Sequence, residues 1–150
     1  MQFEQRLALG LFLLRLGVFV VMAMWTIDKF INPGHTAAVF EKFYLIPGLS
    51  HWAAYGIGAI QAVIVLAFLL GYQKAWSYGL VFAMHSVSTV SSYGRYLDPW
   101  ETPNLLFFAA FPMLAAIAAL WLLRDHDTIL SVDAWRSATG TARMREATRI

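Results

Sequence analysis

Residues 7–27, LALGLFLLRLGVFVVMAMWTI, carry a single charge, the arginine at position 15. A bilayer core of about 30 Å needs about 20 apolar residues of helix, so this stretch reads as a membrane span. It ends at DKFINPG, where Asn32, Pro33 and Gly34 cannot continue a helix. The rest of the chain repeats the pattern. Apolar runs of similar length occupy Trp52 to Tyr72, Ala75 to Tyr93 and Asn104 to Leu123. The composition agrees: the 150 residues are 59% hydrophobic and 13% charged, against about 25% charged in soluble domains. The expected fold is all-α, an integral membrane four-helix bundle over residues 1–124 with a basic cytoplasmic tail over 125–150. No length remains for a second domain.

Between the first two spans, HTAAVFEKFYLIPG at 35–48 is too short to cross and interleaves Glu41 and Lys42 with apolar residues. It reads as a short amphipathic helix on the membrane surface. Gln73 and Lys74 alone separate spans two and three, a tight hairpin, and GRYLDPWETP separates spans three and four. The N-terminal apolar run is too long for a signal peptide and is expected to be retained. Gly10, Gly17, Gly58 and Ala62 are expected to let helices approach closely.

Charge orients the bundle. Arg6, Lys74, Arg124, Arg136, Arg143, Arg145 and Arg149 fall on the side of both termini, whereas the other side has Lys29, Lys42 and Arg95. The positive-inside rule then makes both termini cytoplasmic. Tail arginines beside Ile129, Leu130, Val132 and Trp135 suit anionic lipid headgroups rather than nucleic acid. Trp25, Trp52 and Trp100 at the outer span ends and Trp76 and Trp121 at the inner ends read as interfacial anchors.

Depth follows from a rise of 1.5 Å per residue. Arg15, Gln61 and His85 then come to one middle layer, roughly 12–15 Å from a boundary, and Pro112 disturbs the fourth span near it by leaving the carbonyl of Phe108 without its helical donor. Ionisable groups at such depth normally face a partner or a cavity. No acid lies inside any span, so Arg15 is expected to meet neutral acceptors or an exogenous anion, or to reach the headgroups. The third span contains MHSVSTVSSYGRY at 84–96, and His85, Ser88, Ser92 and Tyr96 share one helical face with Thr89 beside them. Two readings stand. The hydroxyls satisfy their own helix and His85 is structural, or the stripe lines a cleft opening outward with His85 at its floor. The candidate ligand set is Arg15, Gln61, His85, Ser88 and Ser92. At the outer rim Asp28, Lys29, Arg95 and Asp98 are candidates for ion pairing and partner docking, with a specific Asp28 to Arg95 pair expected.

Several chemistries are disfavoured. There is no cysteine for thiol chemistry or zinc. A bis-histidine haem needs two deep histidines, and only His85 is deep, because His35, His51 and His126 lie outside the spans. No phosphate-cradling glycine loop or serine triad is legible. No catalytic residue, metal site or covalently bound cofactor is expected, and the interior has room for a lipid-like or quinone-like molecule.

Three motifs, LLRLG at 13–17, DKFINP at 28–33 and FEKFYLIPG at 40–48, resemble those of the DoxX-like membrane proteins, four-helix subunits associated with redox systems. Asp28 stands where many members carry glycine, and the cysteine pairs of related thiol-relay bundles are absent. The resemblance implies an accessory or quinone-facing subunit of a membrane oxidoreductase, not itself catalytic, packed against other membrane subunits in a bacterial-type plasma membrane. A purely structural or assembly subunit is the alternative. A small-solute transporter is the weaker third, since neither a pair of interrupted helices nor a repeat is visible.

Overall fold

The computed structural model describes the backbone of residues 2–147 and the side chains as far as residue 139. Arg143, Arg145 and Arg149, counted above toward one side, lie outside the described side chains. The described chain is all-helical: α1 (Phe3–Ile31), α2 (Pro33–Tyr44), α3 (His51–Leu69), α4 (Lys74–Ser91), the short α5 (Tyr93–Leu97), a 3-10 helix (Asn104–Ala109) running into α6 (Ala110–Leu122), and α7 (Val132–Ala147). Three of these stretches are long and apolar enough to cross a membrane: Phe3–Ile31, His51–Leu69 and Asn104–Leu122. At 18 residues α4 is of similar length, but its serines, threonine, histidine and lysine dilute its hydropathy.

Helix α1 packs against α3 and α6, and α4 packs against the same two. The four form a closed ring with α1 and α4 on one diagonal. On α1 the buried residues Ala8, Leu11, Arg15, Val18, Met22 and Thr26 recur every three or four positions, the single stripe that a 3.6-residue period brings inward. Leu11, Val18 and Met22 meet Val65 and Phe68 of α3, Tyr78 and Val81 of α4, and Ile117 and Leu120 of α6. Leu9, Leu16, Val20 and Met24 of α1 point outward, exposed. An element apolar on every side is buried in protein or meant for lipid.

Glycine tightens one crossing. A Cβ on Gly58 would lie 3.0 Å from the Phe30 ring and 3.1 Å from Lys29 Cβ, so α3 approaches the end of α1 closely. Gly10 and Gly17 do not act this way, because nothing lies within 4 Å of a Cβ at either.

The α2 helix lies against α1, α3 and α4. Pro33, whose missing N–H costs nothing there, starts it at the first helical position, and Leu45 in the left-handed region ends it. We call this the α2 end of the ring. At the opposite, terminal end the chain after α6 turns back and is stitched to the α3–α4 hairpin. Val132 N donates to the Leu70 carbonyl at 2.9 Å and Asp133 N to the Gly71 carbonyl at 3.1 Å. The Asp133 carboxylate accepts from the backbone N–H groups of Gln73 (3.0 Å) and Lys74 (2.9 Å). It therefore caps α4 from another element, satisfying donors that a helix start leaves unpaired. The segment read from the sequence as a basic tail begins as part of the packed fold.

Candidate functional site

The polar residues inside the ring form two separate groups. The first, at the terminal end, centres on Arg15. One guanidinium nitrogen, Nη1, donates to the Tyr78 hydroxyl at 3.2 Å and lies 3.4 Å from Asp127 Oδ2. The other, Nη2, donates to the carbonyls of Ile129 and Leu130. Tyr78 donates in turn to Asp127 Oδ2 at 2.6 Å, and Lys74 Nζ donates to the Asp127 carbonyl at 3.0 Å. Arg15, Tyr78 and Asp127 are all fully buried. An acid from beyond the last apolar run thus neutralises Arg15, correcting the expectation of neutral acceptors, an exogenous anion or headgroups. Gly71 makes room for it: its φ is +56°, and a Cβ there would collide with Arg15 Nη1.

The second group lies toward the α2 end, on the hydroxyl-rich face of α4. His85 and Thr89 are buried and Ser88 half-buried, and they join Ser92 and Tyr96 along one side of a cavity of about 560 Å³. Apolar side chains of α1, the 3-10 helix and α6 make the opposite walls, among them Leu13, Leu14, Val18, Phe107 and Met113. The Trp25 ring of α1 stands 5.8 Å from the His85 ring, centroid to centroid. His85 Nε2 lies 3.0 Å from the carbonyl of Ala110, where the 3-10 helix gives way to α6 just before Pro112. The expected irregularity is a free carbonyl at Phe108; the structure has a change of helix type there, and the carbonyl that meets the histidine is that of Ala110.

Several hydroxyls turn back on their own helix. Thr89 Oγ1 donates to the His85 carbonyl at 2.8 Å and Ser92 Oγ to the Ser88 carbonyl at 2.9 Å, as Ser and Thr in helices commonly do. Two buried polar atoms of the cavity wall have no protein partner, His85 Nδ1 and the Tyr96 hydroxyl. Buried polar atoms are rarely left so.

The hydroxyl back-bonds and the cavity thus occupy the same face of α4. The expected gathering of Arg15, Gln61 and His85 at one depth does not occur. His85 is level with Trp25, ten residues and roughly 15 Å along α1 from Arg15, and neither Arg15 nor Gln61 lines the cavity. Gln61 is buried on α3. Helical rise counts position along one helix, and it does not fix how far neighbouring helices slide past each other.

The rim is also paired differently. Asp28 accepts from Asn32 at 3.2 Å and lies 2.7 Å from His35 Nδ1. Arg95 donates to Asn104 Oδ1 at 3.0 Å, with its guanidinium 5.8 Å and 5.9 Å from the Phe43 and Phe107 ring centroids. The Asp28 to Arg95 pair is not formed, because each finds a partner closer in the chain. Lys29 Nζ donates to the Trp25 carbonyl at 3.0 Å, and the Asp98 carbonyl accepts from Asn104 Nδ2 at 2.8 Å. Below this rim a second cavity of about 370 Å³ shares Trp25, Ser88, Ser92 and Phe107 with the first and reaches Asp28 and His35.

Sequence reasoning missed Tyr78 and Asp127, and took Trp25 only for an anchor. One signal was available. DHDT at 125–128 places acids directly after the last apolar run, within reach of a lone buried arginine if the chain turns back. Among the described residues no group of three or more His, Asp or Glu side chains gathers as a metal site would require.

Fold and site together define a chain that is all-helical over the described residues, with three helices apolar enough to cross a membrane and a cavity with a polar wall between α1, α4 and α6. Compared with models of known families, with characterised proteins and with solved structures, the chain finds no match.

Proposed function

We propose that this chain is a four-span membrane protein with both termini in the cytoplasm, and that it serves as an accessory, quinone-facing subunit of a membrane redox complex. In this reading α4 is the fourth span. Its polar residues turn into the ring, with His85 only 1% exposed, so it meets lipid chiefly with Leu80, Val87 and Val90. The α2 end is then extracytoplasmic and the Arg15 cluster cytoplasmic.

The observation that carries the functional reading is the cavity. Its volume of about 560 Å³ lies within the range of small-molecule sites, roughly 300–1,000 Å³. Its walls are chiefly apolar, and its polar side holds two atoms without protein partners, His85 Nδ1 and the Tyr96 hydroxyl. A flat head group with oxygen substituents on a hydrocarbon tail has that same division of character. The ligand-contacting residues are His85, Ser88, Ser92, Tyr96 and Trp25, and Arg15 is given over to the fold. The resemblance of LLRLG and DKFINP to the DoxX-like proteins adds support for the redox setting.

Extraction of the purified protein with organic solvent, followed by mass spectrometry, tests this. We expect lipid quinone at a substantial fraction of one equivalent, and its loss in Gly17→Leu. Gly17 lines the cavity, and nothing lies within 4 Å of an added Cβ, so the larger side chain fills the ligand's space rather than displacing a helix. Absence of quinone from the wild type, or equal quinone in the variant, overturns the reading and leaves the assembly-subunit alternative.

A further inference from the structure

The hydrogen-bonding sense of the cavity wall bears on which form of ligand it accepts. The Ala110 carbonyl beside His85 Nε2 has lone pairs and no proton, so the nitrogen facing it must carry the hydrogen. No carboxylate lines the cavity to pair with an imidazolium. In the neutral ring a proton on Nε2 leaves Nδ1 as an acceptor, and Nδ1 is the buried atom without a partner. The nearby hydroxyls lean the same way. Thr89 and Ser92 spend their protons on helix carbonyls, so only their lone pairs are left for a ligand. The Ser88 and Tyr96 hydroxyls, which line the same cavity, can each donate or accept and so suit either form of a ligand. That leaves His85 Nδ1, an acceptor only, as the atom that discriminates.

A quinone carries two carbonyl oxygens that only accept. Its reduced form, the hydroquinone, carries two hydroxyls that donate. We propose that the cavity prefers the reduced form, a lipid hydroquinone whose ring hydroxyl donates to His85 Nδ1 with the ring beside Trp25. This rests on the quinone-facing reading above and specifies its ligand. The cavity extends from Trp25 along α1 to Leu13, twelve residues or roughly 18 Å of helix. That is the apolar channel a prenyl tail would occupy, with the head at the α2 end. The role is one of binding alone: the chain selects the reduced molecule.

Calorimetric titration of the purified protein with three probes tests the preference: a decyl-substituted benzoquinone, its hydroquinone, and the dimethyl ether of that hydroquinone, which has no hydrogen to donate. We expect the hydroquinone to bind about tenfold more tightly than the other two, the size of one well-made hydrogen bond. His85→Phe should bring all three within about twofold, and Gly17→Leu should abolish binding of all three. Because His85→Phe could disturb folding, the nitrogen spectrum of histidine-labelled wild type gives an independent check. It should show His85 protonated at Nε2 and bare at Nδ1. Equal or tighter binding of the quinone, a preserved preference in His85→Phe, or a proton on Nδ1 each overturns the preference while leaving a quinone-class cavity standing. If none of the three probes binds the wild type, the quinone-facing reading falls as well.

Discussion

Two polar groups share the interior of one apolar ring, and they are completed differently. Around Arg15 the chain supplies a countercharge and two carbonyls from the segment after α6 and a phenol from α4, so that every guanidinium nitrogen but Nε is engaged and only Asp127 Oδ1 is unpartnered beside it. Around His85 it supplies one carbonyl, leaves the other ring nitrogen unpartnered and keeps a cavity open beside it. Deep charge is costly, so an arginine inside an apolar bundle has to be paired. A neutral histidine and hydroxyls are cheaper to leave incomplete, and a site for a ligand can be kept among them. The contrast separates a polar cluster that holds the fold from one free to bind.

Substitutions can break this contrast, and the largest effect is expected at the closed cluster. Asp127→Ala strands the buried Arg15 charge and should destabilise the protein by about 3–5 kcal/mol, read as loss of the monodisperse peak in gel filtration or as a lowered unfolding midpoint. Replacing both partners, with Arg15→Leu and Asp127→Leu together, should recover much of that loss, since an apolar pair of similar volume often does as well as a buried ion pair. Next comes Gly71→Ala. It forces a Cβ into a left-handed position against Arg15 and should cost about 1–3 kcal/mol by the same midpoint. Asp133→Ala removes the cap that α7 places on α4 and should cost about 1 kcal/mol. The smallest change in stability, within about 0.5 kcal/mol, is expected for Gly17→Leu, which should nevertheless eliminate binding in the cavity.

Much of the fold was legible in the sequence because the bilayer-length apolar runs are long and their interruptions are proline, glycine and charge. The helix between the first two runs and the tight hairpin at Gln73 were legible for the same reason. The hydroxyl face of α4 could be drawn as well, since His85, Ser88 and Ser92 follow a helical period that survives folding. The partner of Arg15 could not be found in this way. Asp127 lies more than a hundred residues away in a segment with no apolar period, and only the return of the chain after α6 brings it in. The grouping at one depth failed because the helices are offset along their axes, which no count of residues within a single helix reveals.

Melting temperature, measured with and without a short-chain hydroquinone in three proteins, tests the division most directly. Ligand that binds only the folded state raises its apparent stability, so the wild type should melt higher with the hydroquinone. Tyr78→Phe, which removes a hydroxyl from the closed cluster, should melt lower than wild type yet rise by the same amount with ligand. Gly17→Leu should melt near the wild-type temperature and show no rise. A Gly17→Leu protein that still responds, or a Tyr78→Phe protein that keeps its stability but loses the response, would contradict the account.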